Sequence, residues 1–202
     1  MSQAQSTFPS PLSKAYWRES LLSFRSVRNL VFAALMIAAA NLLSAFYIPV
    51  GENLRVTFGF LARALCSLVC GPVLAMVYGC AEDLLGALLH PTGPFFFGYT
   101  LSTMLGVLVY ALCFYRAKIT VWRIFLAKFI TNYGVNVLLG SLWSAMLYGK
   151  GYLYYFTTSL VKNTIYLPIQ VLLLVLLFRL LLPVLQRQGY LPVQMSGKLA
   201  WK

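Results

Sequence analysis

Residues 54–110 read LRVTFGFLARALCSLVCGPVLAMVYGCAEDLLGALLHPTGPFFFGYTLSTMLGVLVY, and this stretch decides the fold. Two apolar runs meet at Gly71-Pro72, and a Pro-Thr-Gly-Pro loop at 91–94 precedes three phenylalanines. Proline lacks an amide donor and suits the first turn of a helix, so Gly71-Pro72 ends one helix and begins another. The stretch therefore predicts two consecutive membrane helices that lead to a loop of the kind that holds ligands.

The composition of the whole chain predicts a polytopic membrane protein of the all-α class. Sixty per cent of the 202 residues are apolar and ten per cent are charged, which exceeds what one soluble core of this size can bury. A bilayer core of about 30 Å needs about 20 apolar residues per helix. The second apolar run is shorter, so it must tilt, continue into its loop or begin below the surface. We place six membrane helices near 29–47, 58–70, 72–89, 98–115, 124–148 and 158–183.

The basic residues predict the orientation of these helices. With both termini in the cytoplasm, the inner segments hold 12 of the 16 Lys and Arg residues, Lys128 among them, which satisfies the positive-inside rule. Residues 1–28 are polar and show no signal-peptide pattern. We therefore predict a cytoplasmic N-terminal tail at 1–28, a membrane domain at 29–185 and a cytoplasmic C-terminal tail at 186–202. Nucleic-acid binding is disfavoured, because the basic residues flank apolar runs and form no single stripe.

Enzymatic chemistry finds little support in the sequence. The one histidine, His90, precedes a proline at a helix end, and the four cysteines lie in apolar runs, where a small buried side chain is their ordinary role. The GxxxxGK[ST] phosphate-binding motif is missing from the chain, so ATP-driven transport needs another subunit. We therefore predict a protein that is not an enzyme and that uses no cofactor or metal.

Ionisable and amide residues within the apolar runs predict pairs or a pathway in the interior. Glu82 and Asp83 are adjacent and lie about 100° apart on a helix, so at most one of them points at a given partner. We expect Asp83 to face the interior, in an ion pair with Arg63 or Lys162 or in contact with a ligand, and assign no role to Glu82. The full set is Arg55, Arg63, Glu82, Asp83, Asn132, Asn136, Lys162 and Asn163.

Residues 28–185 carry a series of motifs that resembles the substrate-binding S component of energy-coupling-factor (ECF) vitamin transporters, most closely the folate-specific branch. The motifs are RVTFGFLA at 55–62, Gly-Pro at 71–72, DLLG at 83–86 and PTGPFFFGYTLS at 91–102, followed by segments 136–143, 147–150, 161–163 and 167–168. Two departures stand out: Ala62-Arg63 replaces the family's proline, and the segment 157–159 lacks an expected arginine.

The resemblance implies a folate-binding subunit of the bacterial plasma membrane. Folate combines a flat pterin with two carboxylates, so its site needs stacking rings, a group that reads the pterin edge, and cations. Asn136 or Asp83 is expected to read the pterin edge. The rings and cations are expected from Phe95, Phe96, Tyr99 and Trp143, and from Arg55, Lys150 and Lys162.

Two other readings of the chain stay open. Cobalamin- or pantothenate-type S components share the same architecture, and a larger, less cationic pocket is expected for them. A small membrane enzyme such as a lipid-modifying transferase needs clustered acids or a histidine at the membrane surface, for which the chain offers only Glu82-Asp83 and His90.

Small residues in the first span predict a smooth helix face. Ala34 and Ala38 form a small-xxx-small pattern, widened by Ala33, Ala39 and Ala40, that lets another helix approach closely. Packing inside the protein is the alternative use of such a face. The resemblance implies that Ala34 and Ala38 dock on the transmembrane coupling subunit of an ECF module, which also contains two cytoplasmic ATPases.

Overall fold

The computed structural model describes residues 13–51, 54–89 and 94–191. A short helix α1 (Lys14–Leu22) and a 3₁₀ turn precede α2 (Val27–Ala45). Strands β1 (Tyr47–Gly51) and β2 (Leu54–Thr57) form an antiparallel hairpin in which Pro49 pairs with Arg55. The helices α3 (Phe60–Leu89), α4 (Phe97–Phe114), α5 (Val121–Phe129), a π-helix (Ile130–Leu139), α6 (Gly140–Tyr148) and α7 (Tyr152–Arg187) follow.

Helix α3 is a helical hairpin that reverses at Gly71. The backbone of Gly71 has φ 77° and ψ 173°, which is not helical. Arg63 and Glu82 nevertheless form a two-armed ion pair with both N–O distances at 2.9 Å. Nineteen residues of straight helix would separate them by about 28 Å. The chain therefore turns back on itself, with one segment at 60–70 and the other at 72–89, as the Gly-Pro pair predicts.

The turn of this hairpin is held by α1. The Ser20 hydroxyl is fully buried and accepts a hydrogen bond from the Val73 amide at 2.9 Å. That amide lies in the first turn of the second segment, where no helical carbonyl is available, so Ser20 caps the segment from another helix. A Cβ on Gly71 would lie 2.9 Å from Tyr115 Cζ and 3.0 Å from Ser20 Oγ. Glycine thus serves both the backbone conformation and the close approach of α1.

Among the described residues, five helical stretches are long and apolar enough to cross a membrane, and one of them is the α3 hairpin. The six predicted membrane helices and the all-α class are therefore confirmed, with the β-hairpin as a small addition. The last helix begins at Tyr152, six residues before its predicted start. Helix α1 lies within the predicted N-terminal tail, and its Tyr16 side chain is fully buried, with its hydroxyl donating to the Ala111 carbonyl.

The core lies between α3, α4 and the inner stripe of α7. Phe114 packs edge-on against Phe178 of α7 with ring centres 5.1 Å apart, and stacks with Tyr110 at 5.8 Å. Along α7, residues Leu174, Phe178, Leu182 and Leu185 are buried, whereas Leu172, Leu176 and Leu180 are exposed. In a membrane protein this exposed apolar stripe is the surface that lipid covers.

Candidate ligand-binding site

The predicted ligand residues gather towards the end of the bundle away from α1. The helical segments run alternately away from the α1 end of the bundle and back towards it. The β-hairpin, the start of α4, the end of α6 and the start of α7 therefore lie at the opposite end. Arg55 lies on β2 of the hairpin. The predicted loop residues 91–93 and His90 lie outside the described residues.

Three of the predicted aromatic residues form one cluster. The Phe96 ring lies 6.2 Å from Tyr99 and 5.8 Å from Trp143, measured between ring centres. A Cβ on Gly98 would lie 2.4 Å from Phe96 and 2.6 Å from Trp143, so glycine permits this packing. Phe95, by contrast, is 54% exposed at the surface.

Hydrogen bonds made by the polar atoms of Tyr99 and Trp143 fix the orientation of these two rings. The Trp143 indole N–H donates to Ser102 Oγ at 2.9 Å, and the Tyr99 hydroxyl lies 3.0 Å from Ser144 Oγ. Because each polar edge already has a partner, the rings present mainly their faces and apolar edges. The cluster of Phe96, Tyr99 and Trp143, named here the aromatic cluster, is therefore a preorganised stacking surface between α4 and α6.

The two adjacent carboxylates have different partners from those expected. Glu82, to which the sequence analysis assigns no role, is buried and binds Arg63 across the α3 hairpin. The suggested pair of Asp83 with Arg63 is therefore wrong. Asp83 accepts hydrogen bonds from Thr100 at 2.7 Å and Thr103 at 3.2 Å, which ties α3 to α4. Adjacent helical positions face different neighbours, and only the tertiary packing decides which neighbour carries the cation.

The remaining predicted site residues lie on the α7 side. Lys150 is exposed and its ammonium sits 4.8 Å above the Tyr154 ring centre. Lys162 is half-buried on α7, next to Asn163, whose amide donates to the Ser159 carbonyl at 2.8 Å. The Asn136 side chain is exposed, and the carbonyl of Asn136 accepts from Ser159. Ser159 thus links the π-helix to the α7 turn that carries Lys162.

The π-helix is a feature that the sequence did not reveal. Ten residues of π geometry are rare, and such segments are frequent at functional sites. Within it, Asn132 is fully buried and donates to Gln170 at 2.9 Å. Its carbonyl oxygen and the hydroxyl of Ser141 are buried without a hydrogen-bond partner among the described residues. Ordered water or a ligand supplies the partner of such buried polar atoms, so both atoms are further candidates for ligand contact.

Lys128 was expected at the inner surface, and this expectation is wrong. It is 2% exposed, donates to the Tyr110 hydroxyl at 3.2 Å and lies 4.5 Å from the centre of the Phe60 ring. Lys128 comes eight positions into the span that begins at Val121, so it is already inside the bundle. The apolar residues around Lys128 in the sequence were the signal that it lies within a membrane span.

The alanines of α2 divide between two faces. Ala34 and Ala38 are exposed and line a shallow groove of about 470 Å³ with Leu42, Leu85 and Leu89. Ala33 and Ala40 are buried against the bundle, so they do not widen the exposed face as expected. Small residues on α2 therefore serve internal packing on one side and leave an open groove on the other.

Comparisons with known proteins agree with one another. Residues 28–178 match the family model described as "ECF transporter, substrate-specific component". The chain is 33% identical over 150 residues to the folate transporter FolT of Clostridium novyi, covering 74% of this chain and 87% of that one. It is 32% identical over 151 residues to FolT of Leuconostoc mesenteroides subsp. mesenteroides, covering 71% and 80%. A crystal structure of FolT bound with folic acid superimposes with a TM-score of 0.68 at 26% identity, over 74% of this chain and 91% of that one.

Proposed function

Because the chain belongs to the family of ECF transporter substrate-specific components, we propose that it is a folate-binding subunit of such a transporter in the bacterial cell membrane. The observation that carries this proposal is the likeness to FolT bound with folic acid, which extends over 91% of that chain. Two curated folate transporters at 32–33% identity support the same ligand. The comparisons favour folate over cobalamin and pantothenate.

The site that we propose lies at the end of the bundle away from α1. Its stacking surface is the aromatic cluster, in which Ser102 and Ser144 hold two of the three rings and which can take the flat pterin or aminobenzoyl ring. Arg55 on the β-hairpin and Lys150 before α7 supply cations at this same end for the two glutamate carboxylates. These groups match an amphipathic, dianionic ligand.

Deeper polar groups complete the proposed site. Half-buried Lys162 is proposed to supply a further cation and exposed Asn136 an amide, on neighbouring segments that Ser159 links through the Asn136 backbone carbonyl. Asp83 also remains a proposed contact, although its two threonine donors already occupy it, and Phe95 is a proposed contact at the rim. Asn132 Oδ1 and the Ser141 hydroxyl, which have no partner in the part of the chain that the structure describes, add an acceptor and a hydroxyl.

Delivery of the ligand requires partners that this chain does not contain. The absence of a GxxxxGK[ST] motif means that ATP hydrolysis by that route belongs to other subunits. We propose that the groove lined by Ala34 and Ala38 receives the transmembrane coupling subunit of an ECF module with two ATPases. We also propose that both termini lie in the cytoplasm, because basic residues concentrate at the corresponding helix ends, which leaves the segments at 1–28 and 186–202 on that side.

The deciding experiment is calorimetric titration of the detergent-purified chain with folate, and with cobalamin and pantothenate in parallel. One-to-one binding of folate alone supports the proposal. Binding of another vitamin instead would keep the family and discard the ligand, and binding of none would remove the proposed function.

Docking is tested separately by uptake in cells that contain the ECF module. Ala38→Trp is expected to abolish uptake while folate binding by the isolated chain is retained, because the indole fills the groove. Leu180→Trp on the exposed stripe of α7 is the matched control and should transport normally. Uptake that survives Ala38→Trp would place the coupling surface elsewhere.

A further inference from the structure

A second cavity lies at the opposite end of the bundle from the aromatic cluster. It has a volume of about 240 Å³ and opens between α1, the end of α4 and the chain that follows α7. Its walls include Glu19 of α1, Tyr115 and Arg116 after α4, and Tyr190 after α7. Glu19 and Tyr190 lie outside residues 28–178, which the family model matches, so part of the cavity wall comes from segments beyond the matched region. We name it the α1 pocket.

The α1 pocket contains an acceptor that has no hydrogen bond. The atom Glu19 Oε2 is buried and has no hydrogen-bond partner among the described residues, although the Glu19 side chain as a whole is 41% exposed. Its ion-pair partner is Arg116, whose Nη2 lies 3.5 Å away, beyond the roughly 2.7–2.9 Å of a charge-assisted hydrogen bond. A buried carboxylate oxygen without a donor is costly. The pocket is therefore suited to a ligand that brings a positively charged N–H group.

Arg116, the cationic residue of the same pocket, has an unusual backbone conformation. Arg116 has φ 54°, and among the described residues it is the one non-glycine residue with a positive φ. Such a conformation costs energy for a residue with a Cβ and is kept where the surroundings or a function hold it. Because Arg116 is about 37% exposed, its guanidinium retains donors for an anionic group.

The opposite wall, formed by Tyr190, is anchored to α2. The Arg28 guanidinium lies 3.9 Å from the centre of the Tyr190 ring and donates to the Gln188 carbonyl. The Tyr190 ring also packs on Phe32 of α2, with ring centres 5.0 Å apart. The segment after α7 is thus anchored to α2, and the pocket has a defined shape.

The size and surroundings of the pocket identify the class of ligand. A cavity of about 240 Å³ is smaller than the roughly 300–1,000 Å³ typical of sites for drug-sized molecules, so a folate-sized ligand does not fit. Its floor is formed by Leu68 and Val69, and Val27 and Leu30 on neighbouring α2 are exposed apolar residues. Basic and tyrosine residues at these helix ends are typical of a membrane interface.

We propose that the α1 pocket binds the headgroup of an aminophospholipid such as phosphatidylethanolamine. Its primary ammonium donates to Glu19, its phosphate binds Arg116, and its acyl chains cover the exposed apolar residues of α2. Phosphatidylcholine has no N–H to donate to Glu19, and phosphatidylglycerol has no positive charge to place beside it. Each of these lipids therefore makes only the phosphate contact with Arg116 in full. Soluble glycerophosphoethanolamine shares the headgroup chemistry but lacks the chains.

The test is native mass spectrometry of the delipidated full chain, titrated with the three lipids at matched acyl chains and with glycerophosphoethanolamine. Phosphatidylethanolamine should bind one-to-one and about tenfold more tightly than phosphatidylcholine, the effect of one hydrogen bond to a charged group. Glu19→Gln should remove this preference. Lys14→Gln, on the exposed surface of α1 outside the pocket, should keep it.

Two further measurements separate a loss of lipid binding from a loss of folding. Melting temperatures show whether each variant is folded, and Arg116→Gln provides a second variant, expected to weaken both phosphatidylethanolamine and phosphatidylcholine by about tenfold. Equal binding of the two lipids by the natural chain would overturn the proposal, as would a preference that survives Glu19→Gln. Glycerophosphoethanolamine binding as tightly as the lipid would assign the pocket to a soluble ligand and overturn the lipid assignment.

Discussion

Two glycines with positive φ, one at each end of the bundle, stand in opposite surroundings. Gly71 has φ 77°, and a Cβ there would meet Tyr115 and Ser20 at about 3 Å. Gly149 has φ 73°, and a Cβ there would meet nothing within 4 Å. The first end is closed by α1, whose side chains cap and fill the turn. The second end leaves the turn at Gly149 open, next to Lys150, at the end of the bundle where we propose the ligand site.

The ion pair inside the α3 hairpin gives the largest expected effect on the closed region. Arg63→Ala leaves the Glu82 carboxylate, 4% exposed, without its cation, and should cost about 3–5 kcal/mol of unfolding free energy. Denaturant unfolding of the purified chain in detergent measures this loss.

The neighbouring carboxylate is the control for that prediction. Asp83→Asn keeps an acceptor for Thr100 or Thr103 and should cost about 1 kcal/mol. Equal losses for the two variants would mean that the ion pair does not hold the hairpin.

Alanine substitutions of Gly71 and Gly149 test whether the α1 end of the bundle is more tightly packed than the opposite end. Gly71→Ala should cost about 3 kcal/mol, the upper part of the range for a glycine-only conformation, because its Cβ also meets Tyr115. Gly149→Ala should cost about 1–2 kcal/mol, since only the left-handed backbone is disfavoured there. Thermal melting compares the two variants directly, and a Gly149 effect as large as that of Gly71 contradicts the comparison.

The open end should respond in ligand affinity. Arg55→Ala is expected to weaken folate binding by about 1.5 kcal/mol or more, the value of a hydrogen bond to a charged group. Arg25→Ala, an exposed arginine at the α1 end, should leave the affinity unchanged. Calorimetric titration measures both, and an unchanged Kd for Arg55→Ala removes Arg55 from the site.

The smallest effect concerns the cap supplied by α1. Ser20→Ala removes the acceptor for the Val73 amide and should lower the free energy of unfolding by about 1 kcal/mol. Ser26→Ala at the start of α2 is the matched control, because the Ser26 side chain makes no capping hydrogen bond. If both variants melt alike, α1 does not cap the second segment of α3.

The arrangement of the membrane helices could be predicted from the sequence because its signals are local. The Gly-Pro pair at 71–72 ends one helix and starts the next whatever surrounds it, and the chain reverses there. Of the four aromatic residues that the sequence predicts for the ligand site, Phe96, Tyr99 and Trp143 contact one another, whereas Phe95 lies at the surface.

Burial and pairing could not be predicted in the same way. Nearly every position of α7 is apolar, so no polar face distinguishes Leu174 in the core from Leu176 at the lipid surface. Likewise, Glu82 and Asp83 are indistinguishable as neighbours in sequence, yet Glu82 meets Arg63 and Asp83 meets two threonines. The burial of Lys128 and the π-helix also depend on contacts between distant parts of the chain.

The sequence by itself therefore determined the class of protein, the order of the long apolar helices and the family, because hydropathy, Gly-Pro breaks and ordered motifs act over a few residues. Only the tertiary structure decided that α1 closes one end of the bundle, which carboxylate holds the α3 hairpin, and that Glu19 Oε2 has no hydrogen bond among the described residues. Those features are contacts between segments tens of residues apart, and in a uniformly apolar chain the direction of each side chain is fixed by packing.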